Sequence, residues 1–337
     1  MKIIFDKNIP LLEERLEAVA SEVDYEGVPA ADIDPEKVKD ADAIVVRTRT
    51  RCDAGLLEGS RVRLVATATI GSDHIDKEWC RARGIRVVNA PGCNAPGVMQ
   101  YVAASLRTAG FDPLRHTLGV VGKGNIGSLV ARLYRNAGCK VLVSDPPAAL
   151  SGRKDEDFIS LEELLKRSDA ITFHVPLTDG SQSDFPTLHM LNERNIGLLP
   201  PGAIVINASR GGVVAPSVIT DCSKRYRMII DTWPFEDRGE KAAAGMIQAP
   251  FISTPHIAGY SRQGKERATR SVIEEFNRFF SLEIPTESLA DYSFRERDYA
   301  LQEVAGSYNP LRDSEALKAA PGDFEKLRNR YAFREEP

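Results

Sequence analysis

Residues Thr117-Leu-Gly-Val-Val-Gly-Lys-Gly-Asn-Ile-Gly127 form an apolar run that breaks into three glycines at G-x-G-x-x-G spacing. This pattern predicts a strand ending at Val121, a tight turn at Gly122, close backbone approach to a pyrophosphate at Gly124, and strand-helix packing at Gly127. A helix from Ser128 to Ala137 would then aim its unpaired N–H groups and positive dipole end at the phosphates. Glycine-rich turns are common, so the following residues decide the reading. They supply a second apolar strand, Lys140 to Ser144, ending in Asp145. An acidic side chain at that strand end suits the hydroxyls of an adenosine ribose and repels a 2′-phosphate, which favours NAD over NADP. Alone, Asp145 could equally open the turn at Pro146-Pro147; the strand-helix-strand frame favours the dinucleotide.

A chain of 337 residues exceeds the usual size of one core, so two domains are expected. A net charge of −4 gives no reason to expect nucleic acid or an anionic membrane surface as partner. No apolar run is long enough for a bilayer span, and Met1 to Pro10 reads as a short strand interrupted by charges rather than a signal peptide. The expected location is the cytoplasm. The five cysteines are scattered without a C-x-x-C pair or clustered histidines, so no disulfide framework or metal site is expected. Cys93 lies in a glycine-rich turn with no evident base nearby and reads as structural.

From residue 1 to about 92, short strands (Lys2 to Phe5, Ala43 to Val46, Leu64 to Ala68, Val87 to Asn89) alternate with helical stretches such as Leu11 to Ala20. That alternation predicts a small α/β unit with a parallel sheet. It carries no glycine-rich phosphate turn of its own, so it is assigned to the substrate. Ligands bind beyond the carboxyl ends of parallel strands, which singles out two loops. Arg47-Thr-Arg-Thr-Arg51 places several charge-assisted donors together, suited to a phosphate or carboxylate; Arg51 alone reads as a solvated turn. Thr67-Ala-Thr-Ile-Gly-Ser-Asp-His74 offers Thr69, Ile70 and Gly71 to an anionic substrate, with His74 read as a packing residue.

The proline and glycine density of Asn89 to Gly97 marks a hinge before a helical stretch, Val98 to Ala109. Beyond the glycine-rich turn, further strands are expected at Ala170 to Pro176, Ala203 to Ala208 and Met228 to Asp231. His174 reads as structural or as lining the cofactor site. Three strand ends carry polar residues: Arg210 before Gly211-Gly212, Asp231 with Glu236 on its loop, and His256 between Pro255 and Ile257-Ala-Gly259. Singly these are an exposed arginine, a capping carboxylate and a loop histidine. As an ordered set after a dinucleotide motif, they describe a reaction.

On Gly122-Lys-Gly-Asn-Ile-Gly127 with Asp145, Arg210-Gly211, Asp231 with Glu236, and His256-Ile-Ala-Gly259, the chain resembles the D-isomer-specific 2-hydroxyacid dehydrogenases from Met1 to about Phe280. Arg47-Thr-Arg-Thr, Ala66 to Asp76, Ala90 to Ala95, Asp145-Pro-Pro147, His256 to Ser261, Leu311-Arg-Asp313 and Phe324-Glu-Lys-Leu-Arg328 are similar to one subfamily, whose substrate is a small phosphorylated 2-hydroxy acid. The resemblance implies two Rossmann-like, doubly wound parallel-sheet α/β domains. One is a flavodoxin-like substrate domain (1–92 and 259–283) and the other an NAD-binding domain (93–258); a short C-terminal dimerisation region (284–337) follows. The active site is expected in the cleft of a homodimeric enzyme. The resemblance further implies cofactor contacts at Gly122, Gly124, Asn125, Ile126, Gly127, Asp145, Val175, Asp231 and Gly259, with Asp231 on the nicotinamide amide.

Oxidising a 2-hydroxy acid needs a base for the hydroxyl proton, here His256, and NAD as hydride acceptor. Glu236 would fix the imidazole tautomer, and Arg210 would clamp the substrate carboxylate. By resemblance Thr48, Thr69 and Tyr260 contact the substrate, and Arg47 or Arg49 meets its phosphate. The chain departs from the family pattern at Lys123 between the first two glycines and at Val175, which replaces a threonine. It departs again at Pro234 before Glu236 and in a tail shorter than the subfamily's. Two other readings stay open: a relative acting on phosphoglycerate, glycerate or lactate, and an NAD-sensing binding protein.

Overall fold

The computed structural model describes residues 1–237 and 243–337. The chain divides into two units: Met1–Asn94 with Ser261–Phe294, and Ala95–Tyr260 with Arg295–Pro337. In the first unit, β1 (Lys2–Asp6), β2 (Asp24–Val28), β3 (Ala43–Val46), β4 (Leu64–Thr67) and β5 (Arg86–Val88) form a parallel sheet ordered β2-β1-β3-β4-β5. Its inner strands are apolar on both faces, as a sheet covered on both sides requires. Ile3 and Phe5 pack with Leu12, Leu16 and residues of the helix Arg262–Phe280, while Ile4 and Ile44 cluster with Leu56 and Leu57. Strand β2 is invisible in the hydrophobic pattern because it is an edge strand, Asp-Tyr-Glu-Gly-Val, with only Val28 buried.

The second unit holds β6 (Thr117–Val121), β7 (Lys140–Ser144), β8 (Ala170–Phe173), β9 (Ile204–Asn207), β10 (Arg227–Ile230) and β11 (Ile252–Ser253), all parallel, in the order β11-β10-β9-β8-β6-β7. Each expected strand is found to within a few residues; the two-residue β11 is too short to leave a periodic signal. In both sheets the first strand lies between the second and the third, so the order reverses at β1/β3 and at β6/β8. Such switch points open a crevice at the carboxyl ends of the strands.

The expected C-terminal region divides between the units: residues up to Phe294 pack with the first and those from Arg295 with the second. Of its helices Leu301–Gly306, Pro310–Ala319 and Phe324–Asn329, the last two add Leu317 and Phe324 to a core that contains Phe173, Met228 and Trp233. Among the described residues no helix is long and apolar enough to cross a membrane.

The helix after the glycine-rich turn begins at Asn125, directly after Gly124. Gly122 has φ +91°, and a Cβ there would lie 2.5 Å from the His174 carbonyl oxygen. A Cβ on Gly127 would stand 1.9 Å from the Gly122 oxygen, whereas one on Gly124 would meet nothing within 4 Å. The outer glycines therefore close the turn, and the middle one leaves space beside the helix start. Gly127→Ala should lower stability by about 1–3 kcal/mol through overpacking, read as a lower urea midpoint, and should weaken NAD binding in calorimetry. Wild-type values in both measurements would show that the turn tolerates the methyl group.

Candidate active site

Asp145 ends β7 beside the glycine-rich turn. Its Oδ2 accepts the Lys123 N–H at 2.6 Å, and its Oδ1 accepts the Ala148 N–H at 3.0 Å, capping the helix Pro146–Leu150. Asp145 thus opens the proline turn and ties the glycine loop to the neighbouring strand end as well. Lys123 is buried and ion-paired with Glu156, which Arg135 also grips at 2.6 and 2.8 Å. Burial would push the Glu156 carboxyl up, but Arg135 and Lys123 hold it below the usual glutamate range. The lysine side chain is thereby committed to Glu156. The sequence offered no signal for this partner, which lies 33 residues away in an irregular segment.

The polar strand ends of β10 and β11 converge on one another. Asp231 is fully buried: its Oδ1 accepts the Thr254 hydroxyl at 2.6 Å and the Ile257 N–H at 2.8 Å, and its Oδ2 accepts the Ala258 N–H at 2.9 Å. The His256 N–H donates to the Asp231 carbonyl at 2.9 Å. These bonds hold His256 at φ +57°, a left-handed conformation unusual for a side chain of its size. Burial raises the Asp231 carboxyl pKa; His256 and the Thr254, Ala258 and Ile257 donors oppose that rise without cancelling it.

His256 Nδ1 lies 2.8 Å from Glu236 Oε2. With Nδ1 turned to the carboxylate, Nε2 is the ring nitrogen left for chemistry. Pro234 opens the short helix Pro234–Asp237, and Glu236 Oε1 folds back to accept the Trp233 N–H at 2.9 Å, in the manner of a capping box. The proline before the glutamate, a departure in sequence, therefore starts the turn that brings Glu236 to the histidine. Burial would push the Glu236 carboxyl up, but the charge and hydrogen bond of His256, together with Arg328 and the Trp233 N–H, hold it below the usual glutamate range. Arg328 was not anticipated as a site residue. Its Nη1 is 3.2 Å from Glu236 Oε2 and its Nε 3.2 Å from the Tyr260 hydroxyl.

Arg210 is half-buried after β9, its backbone carbonyl accepting from Asn207 Nδ2 at 2.8 Å. A Cβ on Gly211 would meet the Trp233 oxygen at 2.0 Å and the Pro234 nitrogen at 2.7 Å. That glycine lets the Arg210 loop lie directly against the loop that carries Glu236. His174 is half-buried with Nε2 at 3.1 Å from the Thr172 hydroxyl, and desolvation drives its pKa down to about 3, so it is neutral.

In the first unit, the Arg47 Nε donates to the buried Asp6 Oδ2 at 2.7 Å, across the β1/β3 switch point. Thr48 and Arg49 are exposed, and Arg51 pairs with Asp53 in solvent, the solvated turn read from the sequence. The Thr69 hydroxyl donates to the Gly71 carbonyl at 2.8 Å and lies 2.7 Å from that of Thr67. The Cys52 N–H donates to the His74 carbonyl at 2.8 Å, aligning the loops after β3 and β4 side by side. All five cysteines are free thiols, and among the described residues no cluster of three or more metal-ligating side chains occurs.

These features match known proteins. A family model for the NAD-binding domain of D-isomer specific 2-hydroxyacid dehydrogenases matches residues 100–258. The D-lactate dehydrogenase of Aquifex aeolicus, solved with NAD and lactic acid, is 25% identical with a TM-score of 0.63, covering 83% of this chain and 95% of that one. The chain belongs to the D-isomer-specific 2-hydroxyacid dehydrogenases, a family of NAD-dependent oxidoreductases. Within it, a protein of Bacteroides fragilis is 40% identical, covering 100% of this chain and 97% of that protein. One of Proteus mirabilis is 36% identical, covering 100% and 93%. Both relatives are named erythronate-4-phosphate dehydrogenase.

A carboxyl held below its ordinary range stabilises the fold above the pH at which a free glutamate titrates, and that contribution is lost as pH falls through the folded value. The difference in unfolding free energy between wild type and Glu236→Gln should therefore be largest near neutrality and shrink below about pH 4. Urea titrations from pH 7 to 3 would show this; a difference that grows toward low pH would contradict the assigned direction.

Proposed function

We propose that this chain oxidises 4-phospho-D-erythronate at C2 to (R)-3-hydroxy-2-oxo-4-phosphobutanoate with NAD, a step toward pyridoxal 5′-phosphate. The observation that carries the chemical part of this reading is the bond between His256 Nδ1 and Glu236 Oε2. It presents Nε2 as a base and places a carboxylate where the imidazolium would form. The substrate part is supported by the names of relatives that span nearly the whole chain at 36–40% identity.

His256 Nε2 would take the C2 hydroxyl proton, while Arg210 would clamp the substrate carboxylate through its planar fork and polarise the C2 oxygen. Hydride acceptance is the chemistry that NAD would supply when bound. The residues present fit such a dinucleotide. Gly124 leaves open space at the start of the helix Asn125–Asn136, and Asp145 stands at the neighbouring strand end. Gly122, Asn125, Ile126, Gly127, the Val175 backbone and Gly259 would complete the contacts. Asp231, whose carboxylate accepts from Thr254, Ile257 and Ala258, would hold the nicotinamide amide.

Thr48, Arg49, Thr69 and Tyr260 are assigned to the substrate, Arg49 to its phosphate. Arg47 neutralises Asp6 and shapes the same loop. The enzyme would act in the cytoplasm as a homodimer, for which light scattering is the check.

Formation of the 2-oxo acid product from 4-phospho-D-erythronate, 3-phospho-D-glycerate, D-glycerate and D-lactate tests the reading, with NAD bound and 2-oxoglutarate present to reoxidise retained NADH. A clear preference for phosphoerythronate is expected. Preference for another acid would move the substrate and leave the chemistry; inactivity with all four beside intact NAD binding would favour a sensing role. Arg49→Ala should raise KM for the phosphorylated substrate about 10-fold or more, the loss of a hydrogen bond to a charged group. An unchanged KM would remove Arg49 from the phosphate.

A further inference from the structure

The helix Phe324–Asn329 is anchored beside the catalytic pair by aromatic packing. Phe324 is buried edge-on against Phe235 with ring centroids 5.2 Å apart, and Phe235 is the immediate neighbour of Glu236. Four residues on, and so on the same helix face, Arg328 bridges two groups of the site. Its Nη1 meets Glu236 Oε2, the oxygen that also contacts His256 Nδ1, and its Nε meets the Tyr260 hydroxyl, both at 3.2 Å. Further along the tail, Arg334 braces the histidine loop from its other end. Its Nη2 donates to the Ala258 carbonyl at 2.7 Å, its Nη1 to Ile257 at 3.1 Å, and its backbone N–H to Tyr260 at 3.2 Å.

We propose that Arg328 is a positioning residue of the dehydrogenase: it fixes Glu236 and Tyr260 in their working orientations and divides the Glu236 charge between itself and His256. The inference rests on the reading of His256 as the base. Surface arginines rarely act this way, because exposed ion pairs are worth little; Arg328 is only 20% exposed and Glu236 15%. A guanidinium in place keeps the carboxylate from moving toward the imidazole alone, and its own charge opposes the imidazolium. Removing it takes a positive charge away from the imidazole and leaves Glu236 wholly to His256, which favours the charged pair. Among the described residues, the other charged or titratable groups facing this cluster include Asp231 beneath the histidine loop, Glu325 on the same helix, and Arg334 and Tyr331 on the tail. None of them is altered in the variants below.

The test compares wild type, Arg328→Met and Arg328→Lys in NAD-dependent oxidation from pH 6 to 10, with the best substrate of the panel above. Arg328→Met should lower kcat about 10-fold or more with KM for NAD unchanged, and should move the acid limb of kcat/KM up by about 0.5–1 pH unit. Arg328→Lys, which keeps the charge without the fork, should restore the limb and only part of kcat. A merely structural role would lower activity equally at every pH and would not separate the two variants. That result, or wild-type kinetics in Arg328→Met, overturns the proposal while leaving the base reading intact. Should Arg328→Met fail to fold, the lysine variant decides alone, because full wild-type kcat there removes any need for the fork. Inactivity of the wild type toward every 2-hydroxy acid overturns both the reading and this inference.

Discussion

The loop that carries His256 depends on one buried carboxylate. Asp231 stands at the end of β10 with no exposure, a costly place for a charge unless donors surround it. Here the donors are the Thr254 hydroxyl and the N–H groups of Ile257 and Ala258, all on the loop that follows β11. The Tyr101 hydroxyl, 2.8 Å from that of Thr254, extends the chain of bonds into the helix Ala95–Thr108. Satisfying this carboxylate folds the loop back on itself and holds His256 in a left-handed conformation that a residue with a Cβ rarely adopts. Strain of this kind persists only where its surroundings over-determine it. The same turn brings the imidazole to Glu236, so the acid that dictates the loop also sets the geometry of the histidine–glutamate pair.

How much of this was legible in the sequence follows from the range of each interaction. The glycine turn, the apolar inner strands and the polar strand ends are local signals, and the structure places each where its spacing predicted. Strand β2 escaped because an edge strand with one buried residue has no hydrophobic period to show. Glu156, Arg328 and Arg334 escaped for a different reason. Their partners, Lys123, Glu236 and the carbonyls of Ile257 and Ala258, lie 33 to 92 residues away in sequence, and a charged side chain on a short polar segment looks like solvated surface until the chain is folded. Resemblance drew notice to Phe324 to Arg328 as a stretch without assigning it any contact. Its packing against Phe235 is what gives that stretch a physical role.

Lys123 shows how a turn built for a phosphate can carry a bulky cation without letting it decide what binds there. A lysine between the first two glycines could have added charge at the pyrophosphate. Its side chain is instead buried against Glu156, shared with Arg135, while its backbone N–H and carbonyl bond to Asp145 and Arg153. Breaking a buried pair by removing one partner leaves an uncompensated charge, the costliest outcome for such a site. The pair therefore locks the turn against β7 and the segment following it, and a Cβ on Gly124 would still meet nothing within 4 Å. Phosphate binding at a helix start relies on N–H groups and the helix dipole rather than on a side-chain cation. The lysine is thus compatible with the dinucleotide reading because its charge is already neutralised within the protein.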